Sequence, residues 1–339
     1  MKFLIVGPSW VGDAVMAQTL YKLLKESNKD SKIEVLSPKW SINILERMEE
    51  VSKSIASPFN HGELKMKARF EFAKQLREED YERAIVMTNS LKSSLIPFFA
   101  KIPVRTGWLG EMRFGLINDL RAKEKRNNLL MIEQFAKLSI NTDEGIKKSL
   151  PYPSLRIDSH NLKEQLFNLG IDSEKPSLAI CPGAEFGPAK KWPPNYYAEV
   201  CNEYLSNSWN VLVFGSQNDQ ITGNTIQEAI DKELSDHFFN LIGKTSLVDA
   251  VDLLSHCKKV VTNDSGLMHI AAAVDTPLVV VYGPSSPQFT PPLMHNHIVL
   301  RKSEGFDKKR EGSEDHGYHE SLIAIKPSEV LEGLSRLKK

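Results

Sequence analysis

Short runs of β-branched and other apolar residues alternate along the chain with stretches whose apolar residues recur at helical spacing. The first such stretch carries Val15, Leu20, Leu23 and Leu24, which predict an amphipathic helix. Strands are predicted at residues 3–6, 32–37, 83–88, 177–181, 210–215, 258–263 and 277–283. This alternation predicts parallel sheets with crossover helices, and the near-continuous apolar character of the last four strands is typical of sheets covered on both faces.

The pattern changes at residues 147–158 (KKSLPYPSLRID), which have two prolines and no periodicity and which we interpret as a linker. We therefore expect an α/β protein of two doubly wound parallel-sheet domains that face each other across a cleft. The predicted boundaries are 1–155, 156–326 and, for a closing helix with Pro327 near its first turn, 327–339. Residues 301–319, which are basic and contain glycine, are predicted to form a mobile loop.

Charge changes this picture only slightly. The 339 residues have a net charge of zero, so bulk charge does not indicate a nucleic-acid partner, and no feature indicates a protein partner. The first 150 residues hold 25 Lys and Arg against 19 Asp and Glu, and the remainder hold 18 against 24. This asymmetry fits an anionic partner on the N-terminal half, and it fits scattered solvated charge equally well.

Cysteine use and hydropathy indicate a cytoplasmic protein. The three cysteines, Cys181, Cys201 and Cys257, are far apart and form no CxxC pair, which argues against a disulfide framework or a zinc site. The apolar run at 3–6 is too short for a signal peptide, and the apolar stretch at 270–282 is interrupted by charge and proline. We expect any membrane contact to be peripheral.

A turn with two glycines follows the first strand, in the sequence GPSWVGDAVM that begins at Gly7. Gly7 and Gly12 have the spacing of the two glycines of a phosphate-binding P-loop, but Asp13 stands where that loop has its lysine. A P-loop nucleotide site is therefore disfavoured. The carboxylate is either a general base or a residue that only stabilises the start of a helix.

A second turn, CPGAEFGPAKKWPP, opens the second predicted domain. Its backbone N–H groups, together with Lys190 or Lys191, can hold a diphosphate without a metal. An ordinary proline-rich surface loop with solvated lysines explains the same stretch equally well.

A third turn, in VVTNDSGLMHIAAAV, places Ser265 and Gly266 at a predicted helix start, which is a ready anion site. Asp264 would repel a phosphate, so its better partners are sugar hydroxyls or Lys190. The alternative is that Asp264 and Ser265 are ordinary N-caps and that His269 is structural.

Several common sites are disfavoured because their motifs do not occur. There is no G-x-G-x-x-G for a nicotinamide Rossmann site, no H-E-x-x-H for a zinc protease and no G-x-S-x-G for a serine hydrolase. A clean D-x-D for a metal-bridged nucleotide sugar does not occur either, the nearest sequence being Asp80-Tyr81-Glu82.

Four motifs that occur in order, GPSWVGDAVMAQ, CPGAEFGPAKKWP, TNDSGLMHIAAA and YGPSSPQFTPPL, resemble those of the ADP-heptose:lipopolysaccharide heptosyltransferases, most closely the type II members. The similarity runs along nearly the whole chain, including TNSLKSSLIPFFAKIPVRTGW and GYHESL. The resemblance implies the GT-B fold of glycosyltransferase family 9, with two Rossmann-like domains, the donor nucleotide bound by the C-terminal one and the acceptor by the N-terminal one. It also implies an inverting transfer of L-glycero-D-manno-heptose, without metal or cofactor, from ADP-heptose to the first heptose of a heptosyl-Kdo2-lipid A type acceptor at the inner face of the cytoplasmic membrane.

The resemblance also assigns roles to residues. It implies that Asp13 is the base, that Lys190 binds phosphate and that Lys191 helps it. The helix start that binds the donor corresponds to Asp264, Ser265, Gly266 and His269. The stretch VFGSQND resembles a ribose-contacting turn without deciding between Gln217 and Asp219.

The acceptor carries carboxylates and phosphates, so we expect basic residues of the N-terminal half to contact it. The candidates are Lys92, Arg105 and Arg113, for each of which a solvated surface role is the alternative. Four other functions remain open: heptosyltransferase I, a later heptosyltransferase, a nucleotide-sugar epimerase on the same fold and a non-catalytic nucleotide-binding module.

Overall fold

The structure is a computed structural model that describes residues 1–60, 62–121, 129–139, 145–146, 149–185, 187–304 and 317–338. The chain divides into two compact units, Met1–Pro153 and Ser154–Lys339. Most of the predicted mobile loop, residues 305–316, lies outside the described residues.

The first unit is built on a six-stranded parallel sheet. Its strands are β1 (Lys2–Val6), β2 (Lys32–Ser37), β3 (Val51–Ala56), β4 (Arg83–Val86), β5 (Val104–Trp108) and β6 (Asp119–Arg121), in the order β3-β2-β1-β4-β5-β6. Its helices are α1 (Val11–Met16), α2 (Gln18–Ser27), α3 (Ile42–Leu45), α4 (Met66–Arg77), α5 (Leu91–Phe99) and α6 (Met131–Ala136). The predicted first helix is therefore divided at Ala17, and its apolar residues are buried as expected.

The second unit repeats this plan. Its strands are β7 (Ser177–Cys181), β8 (Asn210–Val213), β9 (Phe238–Asn240), β10 (Lys259–Asn263), β11 (Leu278–Tyr282) and β12 (His297–Arg301), all parallel, in the order β12-β11-β10-β7-β8-β9. Its helices are α7 (Ser159–Asn168), α8 (Pro194–Ser206), α9 (Gln220–Glu228), α10 (Leu247–His256), α11 (Gly266–Ala273), α12 (Glu320–Ile323) and α13 (Pro327–Arg336).

The central strands of both sheets are buried except at the first residue of β1, β4 and β10, because most of their residues are apolar. In β7 and β11 every residue is buried, as the near-continuous apolar runs predicted. Helix α13 packs on the second sheet at Gly333, where a Cβ would lie 3.2 Å from a methyl group of Val279. The predicted α/β fold with two doubly wound parallel sheets is confirmed.

The order of each sheet reverses direction between two neighbouring strands, β1 and β4 in the first unit and β7 and β10 in the second. Ligands of open α/β sheets bind beside the carboxyl ends of the strands at such a reversal, because the two following loops separate there and leave a crevice. The loops after β1, β7 and β10 contain three of the four motifs singled out in the sequence, and the loop after β4 contains TNSLKSS, whereas the fourth motif, YGPSSPQFTPPL, follows β11.

Candidate active site

In the second unit, the buried side chain of Asn263 joins the loops that follow β7 and β10. Its Oδ1 accepts hydrogen bonds from the backbone N–H of Trp192 (3.2 Å) and the hydroxyl of Tyr197 (2.9 Å), while its Nδ2 donates to the carbonyl of Pro182 (2.7 Å). All three partners belong to the β7 loop or the helix after it. Asn263 therefore fixes the position of both loops.

The joined loops bring Lys190 and Asp264 together. Lys190 Nζ lies 2.5 Å from Asp264 Oδ2, and the carboxylate is buried while the lysine keeps about a fifth of its side chain exposed. A charge-assisted hydrogen bond of this kind orients the ammonium group as well as neutralising the acid. Asp264 therefore pairs with Lys190. This lysine was one of the two partners predicted for it, the other being a sugar hydroxyl.

Lys191 pairs with a different acid. Its Nζ lies 2.9 Å from Asp219 Oδ1, and Asp219 also accepts from the backbone N–H and hydroxyl of Ser216. Asp219 packs so closely on the β7 loop that a Cβ at Gly183 would lie 2.5 Å from its carboxylate, which explains the glycine. Asp219 is engaged in these contacts, whereas Gln217 is exposed and its Nε2 donates to Oε1 of Gln220 (2.6 Å).

At the start of helix α11, two buried side-chain atoms lack a hydrogen-bond partner among the described residues. Ser265 is the N-cap residue, yet its side chain makes no capping hydrogen bond. Its Oγ and the Nδ1 of His269, one turn later, are both buried without a hydrogen-bond partner among the residues that the structure describes. An unpaired buried polar group costs about 1–3 kcal/mol, so two of them beside a helix N-terminus indicate a ligand.

Burial also fixes the charge state of His269. The pKa of His269 is lowered to about 4, mainly because burial disfavours the charged ring; Asp264 raises the pKa and Lys190 lowers it, both by less. The imidazole is therefore neutral at physiological pH. A neutral ring offers Nδ1 as a donor or an acceptor according to its tautomer.

In the first unit, the loops after β1, β2 and β4 and helix α6 line a cleft of about 1240 Å³. Gly7 lies at its edge, where a Cβ would be 3.2 Å from Ser37 Oγ. Asp13, the third residue of α1, lines the cleft together with three cationic residues, Lys39, Arg69 and Lys92. Among the described residues that line the cleft, Asp13 is the one acidic residue.

The structure separates the three basic candidates for acceptor binding. Lys92 lines the cleft from the first turn of α5. Arg105 instead donates to the carbonyls of Leu116 (2.7 Å) and Ile102 (2.6 Å). Arg113 is buried and donates to two carbonyls as well, those of Thr88 (2.7 Å) and Trp108 (2.5 Å). These guanidinium groups hold local backbone, a role that charge alone could not reveal.

Three further observations concern chemistry named above. The cysteines are all buried and none forms a disulfide. Within the described part of the chain, no group of three or more His, Cys, Asp and Glu side chains is arranged to hold a metal ion. None of the helices in this described part is both long enough and apolar enough to span a membrane.

Comparison with known proteins gives the family. The model of glycosyltransferase family 9 (heptosyltransferase) matches residues 69–319, well over half of the chain. The chain belongs to glycosyltransferase family 9, the heptosyltransferases. A lipopolysaccharide heptosyltransferase 2 of Salmonella typhimurium is 46% identical over 99% of this chain and 98% of its own. A lipooligosaccharide heptosyltransferase 2 of Haemophilus influenzae is 44% identical over 99% of both chains.

A solved structure agrees with this membership in family 9. The structure of E. coli ADP-heptose lps heptosyltransferase II superposes with a TM-score of 0.90 at 42% identity, covering 99% of this chain and 98% of the other. This family 9 member is therefore a glycosyltransferase with the GT-B fold that its motifs implied. The family match argues against the alternative functions considered for this sequence, namely a P-loop NTPase, a nucleotide-sugar epimerase and a non-catalytic nucleotide-binding module.

Some site residues of this heptosyltransferase were missed in the sequence. Asn263 directly precedes the Asp264-Ser265-Gly266 turn. A polar residue at the end of a buried strand could have indicated that its side chain holds the neighbouring loops. Trp40 and Gln134 line the cleft with Asp13 but lie far from it along the chain. No local pattern marks either of them.

Proposed function

We propose that this chain transfers L-glycero-D-manno-heptose from ADP-heptose to the first heptose of the lipopolysaccharide inner core. Its near full-length similarity to proteins named heptosyltransferase 2 carries this proposal. That similarity favours this activity over heptosyltransferase I and over later heptosyltransferases, which act on other acceptors.

The donor diphosphate is proposed to bind at the start of α11. Ser265 Oγ and His269 Nδ1 supply hydrogen bonds, Gly266 lets the backbone N–H groups approach, and Lys190 supplies a positive charge. As the bond from the anomeric carbon to the β-phosphate oxygen breaks, its electron pair stays with ADP. Lys190 therefore stabilises the transition state more than the bound substrate.

Asp264 and Lys191 have supporting roles in this proposal. Asp264 orients Lys190 and keeps a second oxygen for a sugar hydroxyl. Lys191, paired with Asp219, adds positive potential beside the diphosphate. Since these cations and the helix N-terminus neutralise the leaving group, we propose that the reaction needs neither a metal nor another cofactor.

Asp13 is proposed to be the general base. The acceptor hydroxyl attacks the anomeric carbon, and its proton passes to the Asp13 carboxylate as the new C–O bond forms, with inversion at that carbon. Of the cleft-lining residues in the described part of the chain, Asp13 alone carries a carboxylate, which supports this role. Lys92, in the same cleft, is proposed to bind an anionic group of the acceptor, while Arg105 and Arg113 only hold the neighbouring backbone.

We further propose a cytoplasmic protein that touches the inner face of the membrane through the loop between β5 and β6. Leu109, Met112 and Phe114 project from this loop with 55%, 82% and 71% of their surfaces exposed. Buried Arg113 anchors the loop from inside, and Glu111 accepts a hydrogen bond from the backbone N–H of Leu91 (2.8 Å). An ordered loop with large apolar residues outside suits a lipid surface.

ADP release tests the proposed reaction. With ADP-heptose and heptosyl-Kdo2-lipid A, we expect ADP to form at a rate that depends on the acceptor, and excess EDTA to leave the rate unchanged. ADP-heptose converted to an isomer without acceptor would instead indicate an epimerase. Complete loss of activity in EDTA, restored by Mg²⁺, would refute the metal-independent step.

A further inference from the structure

Two of the five tryptophans differ from the rest in their exposure. Trp108 and Trp192 are buried, and Trp209 is partly buried with its ring 4.8 Å from that of Tyr204. Trp10 and Trp40, in contrast, expose 56% and 41% of their surfaces. A large apolar ring is stabilised by burial, so two exposed indoles need an explanation in a chain whose other three tryptophans are buried or partly buried.

Both exposed rings line the cleft that contains Asp13. Trp10 follows β1 as the N-cap residue of α1, three positions before Asp13. Trp40 follows β2, in the 3-10 helix Lys39–Ser41, which is held by hydrogen bonds from Ser41 Oγ to Ser37 Oγ (2.8 Å) and Pro38 O (2.7 Å). Because β1 and β2 are neighbours in the sheet, the two indoles follow adjacent strands at the same edge, and both line the cleft there.

The same cleft contains buried polar atoms that lack partners. Gln134, on α6, is almost fully buried, and its Nε2 has no hydrogen-bond partner among the described residues. The same is true of Thr88 Oγ1, in the loop after β4. Both residues line the cleft. Buried donors left unpaired indicate that a ligand, or water in its place, completes their hydrogen bonds.

Apolar aromatic faces beside a few hydrogen-bonding groups match the chemistry of a pyranose ring. Such a ring has an apolar face of C–H groups that covers an aromatic surface, and oxygen substituents at its rim that need hydrogen-bond partners. We propose that Trp10 and Trp40 form a platform on which a pyranose ring of the acceptor stacks, with Gln134 and Thr88 binding its oxygen substituents. The inference rests on the proposed function and names the subsite that holds the acceptor sugar.

Steady-state kinetics with ADP-heptose and heptosyl-Kdo2-lipid A test this platform. Trp10→Ala and Trp40→Ala should each raise the acceptor KM roughly 30-fold, the size of an interfacial aromatic hot spot, and leave the ADP-heptose KM within about twofold. Trp10→Phe and Trp40→Phe keep a ring and should stay within about fivefold of wild type. Gln134→Met, which keeps the shape but not the amide, should raise the acceptor KM about tenfold.

Trp209→Phe is the matched control, because this tryptophan lies in the second unit and outside the cleft. Adding acceptor without donor should change tryptophan fluorescence in wild type and in Trp209→Phe, and the change should be much smaller in the Trp10→Phe/Trp40→Phe double variant, which keeps the buried Trp108 at the cleft. An acceptor KM within twofold of wild type in both alanine variants would overturn the platform, as would equal increases in both KM values. Absence of any transfer by the wild type would overturn the proposed function instead.

Discussion

Replacing Lys190 changes two things, because its ammonium group also neutralises the buried carboxylate of Asp264. We predict that Lys190→Ala lowers kcat/KM by roughly 10²–10³, as expected for the loss of one preorganised group that stabilises a leaving anion. The Lys190→Ala/Asp264→Asn variant removes the unpaired carboxylate, so it should recover thermal stability without recovering activity. Activity restored in the double variant would show that the ion pair is only structural.

Asp13→Asn separates the role of a base from that of a helix-start carboxylate. The amide keeps the shape of the side chain, so we predict normal folding and normal ADP-heptose binding with kcat lower by about 10²–10⁴. A lost interaction with the helix start would cost only about 0.5–2 kcal/mol of stability. Measured by acceptor-dependent ADP release, turnover within a few-fold of wild type would assign the base to another residue.

His269 predicts how stability depends on pH. Its pKa is about 4 in the folded chain, against an ordinary value of 6.5, so below pH 6.5 the unfolded chain binds a proton that the folded chain does not. The contribution of His269 is complete above pH 6.5 and should be lost as the pH falls to about 4, by on the order of 3 kcal/mol. Urea denaturation should show a shallower fall over this window for His269→Asn, and parallel curves would contradict the assignment.

Arginine and lysine carry the same charge, so a count of basic residues in the sequence does not show which of them line the candidate site. Lys92 lines the cleft, whereas the guanidinium groups of Arg105 and Arg113 are used by backbone carbonyls. The planar fork of arginine suits such bonds to several carbonyls. Only the folded backbone decides which of these cations lines the cleft.

Strands of the sheet centre could be predicted, and strands near the edges could not. The runs that form β1, β2, β4, β7, β8, β10 and β11 are rich in apolar residues because these strands are covered on both faces. The edge strands β3 (VSKSIA) and β12 (HIVLR) have no fully buried residue, and β5 and β6 carry arginines. A mixed pattern of this kind gives no clear period, so pairing with a neighbouring strand decides the structure.

The loop between β5 and β6 can be tested as a unit. We predict that the triple variant Leu109→Ser/Met112→Ser/Phe114→Ser binds vesicles of anionic phospholipid more weakly than wild type, by on the order of tenfold or more, because it loses apolar surface for the interface. Its kinetics with a lipid-free acceptor should be unchanged. Phe167→Ser/Ile221→Ser, which removes equally exposed residues of the second unit, is the matched control. Equal vesicle binding by all three proteins would contradict the role of the loop.

The two units share one strand order, and the alternation of strands and helices was sufficient to predict a pair of doubly wound sheets. The cleft of the first unit could not be predicted from this alternation of strands and helices. Trp10, Trp40, Thr88 and Gln134 come from four segments that only the sheet order brings to one edge. The ion pair between Lys190 and Asp264 joins residues that are 74 positions apart and that the sheet order also brings together. The opposite charges of the two side chains had nevertheless made Lys190 one of the partners predicted for Asp264.

Mass spectrometry of products from two defined acceptors tests the central claim most directly. The purified chain is incubated with ADP-heptose and either heptosyl-Kdo2-lipid A or Kdo2-lipid A, which lacks the first heptose. The account predicts that one heptose is added to the heptosylated acceptor, with one ADP released for each, and that the other acceptor is unchanged. Transfer to Kdo2-lipid A instead, or to neither acceptor, would contradict it.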